Sequence, residues 1–319
     1  MMNHILPCAL TISSSLCVAF AGEAPGVKLT QEAAAVKVEL GGQPFTTYCF
    51  AETKGPPLLR PFLYPVLAPD GTEVTSDQMQ TKGGDHPHHR SFWVAHGDVN
   101  GADQWDWKGA GAPRQRHVGF TKAEGDTIIE QLEWEGKTAE PILKETRTLR
   151  FFAFPDGARG VDLTSVYEPS AAKVTFGDTK EAGLCSVRVA KEIADTAVIT
   201  QSTGARDARP AKNEPHTWGQ RATWCDLSGT IAGKPYGIAI LDHPGNPRHP
   251  GSWHVRLYGL MTANIFGLHE YDKANPKGAG DFTMEAGKPV TFRYRVVIHL
   301  GDSKAADLDA KFKEFAEAK

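Results

Sequence analysis

A dense group of titratable side chains lies in residues 83–101, GGDHPHHRSFWVAHGDVNG, which hold four of the chain's 12 histidines. The segment also carries two aspartates, an arginine and an asparagine between bracketing glycines. Side chains of these types can bind a divalent metal, can act as general acids and bases, or can simply form a polar surface. The spacing alone is compatible with all three hypotheses.

The metal hypothesis rests on His86 and His88. Pro87 favours an extended backbone at the residue before it, and in an extended segment His86 and His88 point to one face while His89 points to the other. A His-x-His pair offers two imidazoles to a metal, and an aspartate of the segment or a histidine from elsewhere would complete the ligand set. A divalent metal is therefore one cofactor hypothesis, beside metal-free chemistry.

A second polar cluster, DHPGNPRHPGSWHVRLYG, follows at residues 242–259, directly after the apolar stretch YGIAIL. It should leave the end of a buried strand as a loop, and an antiparallel sandwich can bring such a loop to the same rim as the first cluster. The recurrence of two histidine-rich loops predicts a shared active or binding site, whereas Pro-rich turns with solvated histidines are the alternative. Its polar members are Asp242, His243, Asn246, Arg248, His249, His254 and Arg256.

A third segment, TFGDTKEAGLCSVRVA at residues 175–190, places Asp178, Lys180 and Glu181 between two predicted strands. By itself this pattern is typical of a salt-bridged turn. If the segment joins the two histidine clusters, Glu181 becomes a candidate base and Lys180 its electrostatic partner.

The chemistry predicted for this set is proton transfer on a sugar. Tryptophans in polar segments can stack on the C–H faces of a sugar ring, and the guanidinium groups of Arg90 and Arg248 suit a carboxylate or an oxyanion. We expect an epimerase-, lyase- or hydrolase-like enzyme that acts on a sugar or sugar derivative. A metal-dependent enzyme with histidine ligands and a non-catalytic glycan-binding or structural protein are the alternatives.

The predicted site residues fall into three groups. The candidate catalytic residues are His88, His96, Asp98, Glu181 and His243, the candidate substrate-binding residues are Arg90, Asn100, Trp105, Lys180, Asn246, Arg248, His249 and His254, and the candidate metal ligands are His86 and His88.

Most of the segments that position these residues are predicted to be β-strands. Segments such as VKVEL (36–40) alternate apolar and polar residues, and turn signals recur at intervals of roughly ten residues. This pattern predicts an all-β chain folded as a large antiparallel β-sandwich. One short helix is expected at residues 303–319, capped by Ser303 and packed on the sandwich through Ala305, Leu308, Phe312 and Phe315.

The N-terminal segment and the overall composition indicate where the protein acts and which kinds of partner to expect. Residues 1–21 are apolar and end in Ala19-Phe20-Ala21, which predicts a signal peptide and export to the periplasm or the exterior, although no Lys or Arg precedes the apolar stretch. Residues 22–319 are expected to form one β-sandwich domain without a membrane span. A net charge of −3 gives no reason to expect nucleic acid as a partner.

Three cysteines remain after residue 21, far apart and without metal-binding spacing. An exported chain could pair two of them and leave the third free, and three buried thiols are the alternative. They are Cys49, Cys185 and Cys225.

Several long motifs together resemble a known family. They include RPFLYPVLAPDG, GDHPHHRSFWVAHGDVNG, DTKEAGL, DHPGNPRHP and FRYRVVIHLGD. Over roughly residues 27–302 the chain resembles a bacterial family of unknown function that is often labelled "methane oxygenase PmoA-like". A particulate methane monooxygenase subunit crosses the membrane several times, and this chain lacks such spans, so methane oxidation is not expected.

The motif style also resembles galactose mutarotase-like proteins, which implies a β-sandwich of the supersandwich type. Aldose epimerases use a histidine as acid and a glutamate as base. Their Asn-His-Ser/Thr-Tyr stretch is not visible in this sequence, so the resemblance implies a sugar-facing site more than mutarotation itself. It transfers no catalytic residue to this chain.

Overall fold

Alternation of apolar and polar residues forms the strands of this protein. In Ala35–Leu40, for example, Val36, Val38 and Leu40 are buried while Lys37 is exposed, which is the period of two that a strand imposes. The computed structural model describes residues 26–53, 58–106, 111–170, 172–210 and 216–318. The segment predicted as a signal peptide, residues 1–21, lies outside the described residues.

The first of two large antiparallel sheets has eight strands. In sheet order they are β1 Val27–Gln31, β2 Ala35–Leu40, β3 Gln43–Cys49, β4 Phe62–Val66, β5 Phe92–His96, β11 Ala182–Arg188, β17 Leu260–Ala263 and β16 Trp253–Arg256.

The second large sheet has nine strands, and a two-stranded sheet accompanies it. In sheet order the nine are β13 Arg206–Ala208, β12 Val198–Gln201, β14 Trp224–Ile231, β15 Lys234–Asp242, β19 Val290–Leu300, β9 Arg159–Pro169, β8 Pro141–Ala153, β7 Thr127–Glu135 and β6 Gln115–Glu124. The small sheet pairs β10 Val174–Phe176 with β18 Phe282–Met284, and the helices are α1 Lys191–Asp195, α2 Leu268–Tyr271 and α3 Leu308–Glu317.

The two large sheets enclose a continuous apolar core, to which both contribute. Val36 and Trp253 from the eight-stranded sheet and Phe151 and Ile240 from the nine-stranded sheet belong to the same buried cluster. The predicted all-β sandwich is therefore confirmed, together with its C-terminal helix.

The C-terminal helix packs on the outer face of the nine-stranded sheet. Leu308 and Phe315 are buried there in a second apolar cluster with Trp224 and Val297. The cap is Asp307, whose carboxylate accepts a hydrogen bond from the backbone N–H of Ala310 at 3.4 Å. The prediction of Ser303 as the cap was wrong, because residues 303–307 form turns before the helix begins.

The three cysteines are free thiols. Burial raises the pKa of Cys185 and Cys225 well above the ordinary range, and it raises the pKa of Cys49 to about 11. The structure therefore fits three separate thiols and not a disulfide, with Cys185 and Cys225 buried as that alternative expected and Cys49 partly buried. Among the described residues, no helix is long and apolar enough to cross a membrane.

Candidate functional site

A polar cavity of about 690 Å³ lies on the eight-stranded sheet. Residues from the first histidine cluster, from the 179–181 loop and from strand β16 share it. Its walls are formed by His86, His88, His89, Gly97, Asp103, Trp105, Asp106, Thr179, Lys180, Glu181, His254, Arg256 and Tyr258.

Strand register places this cavity on the outer face of the sheet, away from the sandwich core. Trp253 and Val255 of β16 belong to the core, so the alternating His254 and Arg256 face the other way. Trp93 on β5 lies in the same cross-strand row as His254, through the paired residues of β11 and β17 between them.

A third apolar cluster underlies the cavity on this outer face. Trp93 and Trp105 pack with ring centroids 5.6 Å apart, and Phe62, Ala95 and Leu260 join them. Strand β5 is thus buried on both faces, which explains its unbroken apolar run FWVA. Trp105, predicted to bind substrate, lies at the cavity wall but is almost wholly buried.

The first histidine cluster forms a turn. The backbone N–H of His89 donates to the carbonyl of His86 at 2.9 Å, with Pro87 at the second position of the turn. The turn gathers all three imidazoles, with ring centroids 4.7 Å apart for His86 and His89 and 4.5 Å apart for His88 and His89. The expectation that His89 points away from the other two was therefore wrong, because Pro87 begins a turn and not an extended segment.

His88 forms a pair with a carboxylate that the sequence reading did not single out. Its Nδ1 lies 3.1 Å from Oδ1 of Asp106. Burial lowers the pKa of His88 to about 4, against the opposing effect of Asp106. At neutral pH the ring is uncharged. Since a carboxylate only accepts, Nδ1 carries the proton and Nε2 keeps a lone pair.

His89 has the opposite tautomer. The guanidinium of Arg188 donates to Nδ1 of His89 at 3.1 Å, and it also donates to Asp85 at 2.9 Å. Burial holds the pKa of His89 far below its usual range, so the ring is neutral. Because Nδ1 accepts, the ring proton must be on Nε2.

His254 resembles His88 in its protonation. Its Nδ1 lies 2.8 Å from the backbone carbonyl of Lys180, an acceptor, so Nδ1 donates and Nε2 keeps a lone pair. Burial lowers the pKa of His254 to about 3. Of the second-cluster residues predicted to act in catalysis or bind substrate, His254 lines the cavity, and Arg256 of the same cluster lines it as well.

The loop at residues 179–181 is tied to the sheet next to His254. The side-chain amide of Asn264 donates to the carbonyls of Thr179 and Lys180, each at 3.0 Å. Lys180 Nζ lies 3.4 Å from Oε1 of Glu181, and both side chains remain more than 40% exposed. The structure thus brings Lys180 and Glu181 into the cavity with the histidines.

The described residues contain no group of three or more His, Cys, Asp or Glu side chains that could hold a metal ion. His86 and His88 do lie together, with ring centroids 5.6 Å apart, and Nδ1 of His86 lies 3.0 Å from Asp85. The pair proposed as metal ligands therefore has no third ligand within the described part of the chain.

Three of the predicted residues anchor the turn that follows β5 and do not line the cavity. Nε2 of His96 donates to the carbonyl of Gly177 at 3.1 Å, and burial lowers the pKa of His96 to about 3. Asp98 accepts from the backbone N–H of Gly101 at 2.6 Å. Asn100 accepts from the backbone of Thr175 at 2.8 Å. All three hold this turn in place against strand β10.

Arg90 also lies outside the cavity lining. Its guanidinium forms a bidentate pair with Asp77, at 2.7 and 3.1 Å, and stacks over the Phe62 ring at 4.0 Å. Asp77 is fully buried. Arg90 directly follows His89, so its pair with Asp77 fixes the chain at the end of the histidine turn.

Five polar residues of the second cluster lie outside the cavity lining and order loops instead. Asp242, at the end of β15, accepts from Asn246 at 2.7 Å and pairs with His249 at 2.8 Å. His243 faces helix α3, where its Nε2 donates to the carbonyl of Ala318 at 3.3 Å.

The fifth of these residues, Arg248, donates its guanidinium N–H groups to backbone carbonyls. It donates to the carbonyls of Ile265, Gly280 and Asp281 at 3.1, 2.7 and 2.7 Å. The front half of the second cluster, residues 242–249, therefore orders loops on the sandwich, while the back half enters the cavity.

The sequence assigned no role to several residues of the cavity wall, among them Asp106, Arg256 and Tyr258. The signal for the last two is visible in WHVRLY, where His254, Arg256 and Tyr258 recur every second residue. The sequence gives no comparable signal for Asp106, because the position of its loop depends on a distant residue. Arg60 donates a hydrogen bond to the carbonyl of Trp105 at 2.7 Å, 45 residues along the chain.

Several solved structures are similar to this chain. An aldose epimerase homologue from C. elegans has 6% identity and a TM-score of 0.35, covering 88% of this chain and 99% of its own. A putative kojibiose phosphorylase from the human microbiome has 9% identity and a TM-score of 0.40, with coverages of 92% and 37%. A heparinase III has 10% identity and a TM-score of 0.31, with coverages of 88% and 35%.

No curated protein matches this sequence. A model described as a family of unknown function, DUF6807, matches residues 35–313. That range holds every residue of the cavity wall. The resemblance to a family of unknown function is thus confirmed, and the chain belongs to the DUF6807 family.

Proposed function

We propose that the cavity binds a sugar or sugar derivative and transfers protons on it, with His88 and His254 as the groups that carry the proton. The observation that supports this most directly is their shared protonation state. Both rings are neutral because they are buried, and both have Nδ1 committed to a fixed acceptor. Each therefore presents Nε2 as a proton acceptor at neutral pH.

Asp106 makes His88 the stronger candidate for reversible proton transfer. When Nε2 of His88 takes up a proton, the ring becomes positive while Nδ1 remains 3.1 Å from the carboxylate. The carboxylate stabilises that imidazolium and fixes the orientation of the ring, as in other His–carboxylate pairs. His88 can then return the proton as an acid. Groups of this kind typically contribute about 10²- to 10⁴-fold to a rate.

The rest of the wall supports a sugar as the substrate. Trp105 and Tyr258 contribute aromatic rings, while Asp103, Lys180 and Glu181 contribute polar and charged groups that can bind hydroxyls. A volume of about 690 Å³ lies within the range of small-molecule sites, roughly 300–1,000 Å³. The mixture of aromatic rings and hydrogen-bonding groups fits an epimerase-, lyase- or hydrolase-like reaction. The apolar segment 1–21 supports export as part of the same proposal.

The test is a screen of mono- and oligosaccharides by proton NMR in D₂O, which reports epimerisation, elimination, hydrolysis and exchange of carbon-bound hydrogen. We expect His88→Gln and His254→Gln to lower kcat about 10²- to 10⁴-fold while near-UV circular dichroism stays unchanged. His216→Gln is the matched control, because His216 is exposed and lies outside the cavity.

Two outcomes contradict the proposal. Turnover at the wild-type rate in both cavity variants excludes these histidines as proton carriers. Tight sugar binding by wild-type protein without any product or exchange favours the non-catalytic alternative.

A further inference from the structure

Arg256 is the cation of the cavity wall that has no anionic partner among the described residues. It lies on β16 two residues after His254, on the same face of the strand, and is partly exposed. Its guanidinium stacks over the Trp218 indole, 4.6 Å from the ring centroid. Among the described residues, no carboxylate and no hydrogen-bond acceptor pairs with this guanidinium.

Other cations near the cavity have acceptors within the protein. Arg188 donates to Asp85 and His89, at 2.9 and 3.1 Å. Arg60 is buried and donates to the carbonyls of Gln104 and Trp105. Lys180 lies 3.4 Å from Glu181. Arg256 differs from all of these, because its described contact is with a ring face and not with an acceptor.

Stacking on an indole prepares a guanidinium for one kind of ligand. The contact uses the face of the guanidinium and fixes its plane, while the N–H groups around the edge stay available. Two parallel N–H donors match the two oxygens of a carboxylate, and Arg–carboxylate pairs are frequently bidentate.

The strand fixes the distance between this cation and the proposed proton carrier. Residues two apart on one face of a strand are separated by roughly 6.5–7 Å. A carboxylate on Arg256 would therefore hold the adjoining sugar ring over His254, whose Nε2 keeps a lone pair.

We propose that the substrate is a sugar acid, and that Arg256 binds its carboxylate as a bidentate pair. This inference rests on the proposed function, because it names the substrate class of the same cavity. It assigns Arg256 the role that the sequence suggested for Arg90 and Arg248, both of which pair internally.

The experiment measures binding by calorimetry for D-galacturonate and D-glucuronate, for their methyl esters, and for D-galactose and D-glucose. The esters keep the ring and remove the charge, so they test the inference without any mutation. We expect the uronates to bind at least tenfold more tightly than their esters. Arg256→Gln should weaken uronate binding about 10- to 100-fold and leave the affinity for neutral sugars unchanged.

One further variant separates charge from geometry, and another serves as its control. Arg256→Lys keeps the charge but loses the planar fork, so its affinity should lie between those of wild type and Arg256→Gln. Arg116→Gln is the matched control, because Arg116 lies on β6 away from this cavity and pairs with Glu133. Thermal unfolding of Arg256→Gln and Arg116→Gln shows whether each variant remains folded.

The outcomes distinguish this inference from the proposed function. If neutral sugars bind as tightly as uronates, or Arg256→Gln binds uronates like wild type, the sugar-acid inference is overturned, and His88-dependent turnover of a neutral sugar would leave the proposed function standing. If wild-type protein binds none of the six compounds, the sugar-acid inference is overturned, and turnover in the saccharide screen then decides whether the proposed function stands.

Discussion

At the scale of single residues, the hydrogen-bond partner of each cavity histidine decides whether its Nε2 can accept or donate a proton. An ordinary histidine changes charge near pH 6.5, but burial keeps His88, His89 and His254 neutral well below that pH. The partner at Nδ1 then selects the tautomer, so His88 and His254 offer a lone pair at Nε2 while His89 carries a proton there. One residue type thus supplies both donors and acceptors to the same cavity.

Hydrogen-bond partners also explain why the predicted residues Arg90 and Arg248 lie outside the cavity lining while Arg256 belongs to it. The bidentate partner of Arg90 is Asp77, 13 residues earlier, and the partners of Arg248 are backbone carbonyls. Neither kind of partner leaves a local pattern in the sequence. Arg256, by contrast, was accessible to prediction, because it follows His254 at the two-residue period of a strand.

Arg90→Ala provides a test at this scale. The substitution leaves the fully buried carboxylate of Asp77 without its charged partner, and breaking such a pair typically costs about 3–5 kcal/mol of unfolding free energy. Urea denaturation measures the loss. The double variant Arg90→Met with Asp77→Asn removes both charges and should recover much of the stability.

A different result would reassign Arg90. If Arg90→Ala cost less than about 1 kcal/mol and abolished sugar binding, the residue would belong to the substrate site.

At the scale of elements, topology divides the second histidine cluster. Strand β15 ends at Asp242 in the nine-stranded sheet, and β16 starts at Trp253 in the eight-stranded sheet. The sequence between them crosses from one sheet to the other. Residues 242–249 therefore order loops, with His243 and His249 against helix α3, whereas His254 and Arg256 reach the cavity. The spacing of residue types predicted a polar cluster here but could not locate this crossing.

At one edge of the cavity, the residue after strand β5 packs closely against the 179–181 loop, and this packing requires a glycine. Gly97 follows β5, and a Cβ atom placed there would lie 2.7 Å from the backbone carbonyl oxygen of Glu181. We expect Gly97→Ala to push the 179–181 loop outward, because a backbone atom must move to relieve the contact. Sugar binding should weaken about tenfold, with a loss of roughly 1–3 kcal/mol in stability, the usual cost of overpacking.

Gly119→Ala is the matched control for this substitution. Gly119 lies in strand β6, and no atom lies within 4 Å of a Cβ placed there. Calorimetry of sugar binding and urea denaturation compare the two variants. Equal binding by Gly97→Ala and wild type would show that the loop position does not matter for the ligand.

At the scale of the whole molecule, the sandwich was predictable because its evidence is local. Alternation along strands such as β7, where every second residue is buried, gives both the element and its inward face. The order of strands is not local. Strand β5 pairs with β4 and with β11, which begins 86 residues after His96 at Ala182. The cavity depends on that long-range pairing, so its wall could be predicted only as separate clusters.

Buried histidines inside and outside the cavity make the stability of the whole protein depend on pH. Their pKa values lie below the ordinary value of 6.5, at about 4 for His88 and about 3 for His96 and His254. Below pH 6.5 the unfolded chain therefore binds protons that the folded chain excludes. Stability is complete above pH 6.5 and falls as the pH drops toward 4, by up to about 1.4 kcal/mol per pH unit for each histidine.

His96→Gln tests this dependence without altering the cavity, because His96 is buried outside it. Urea denaturation at several pH values between 4 and 8 should give a shallower loss of unfolding free energy for the variant than for wild type. The difference in slope should approach 1.4 kcal/mol per pH unit below pH 6 and vanish above pH 7.5, where neither state binds the proton. The amide can still donate to the carbonyl of Gly177, so the slope separates the proton effect from any constant loss of packing. Parallel curves across the whole range would contradict the assignment of His96 as a buried neutral imidazole.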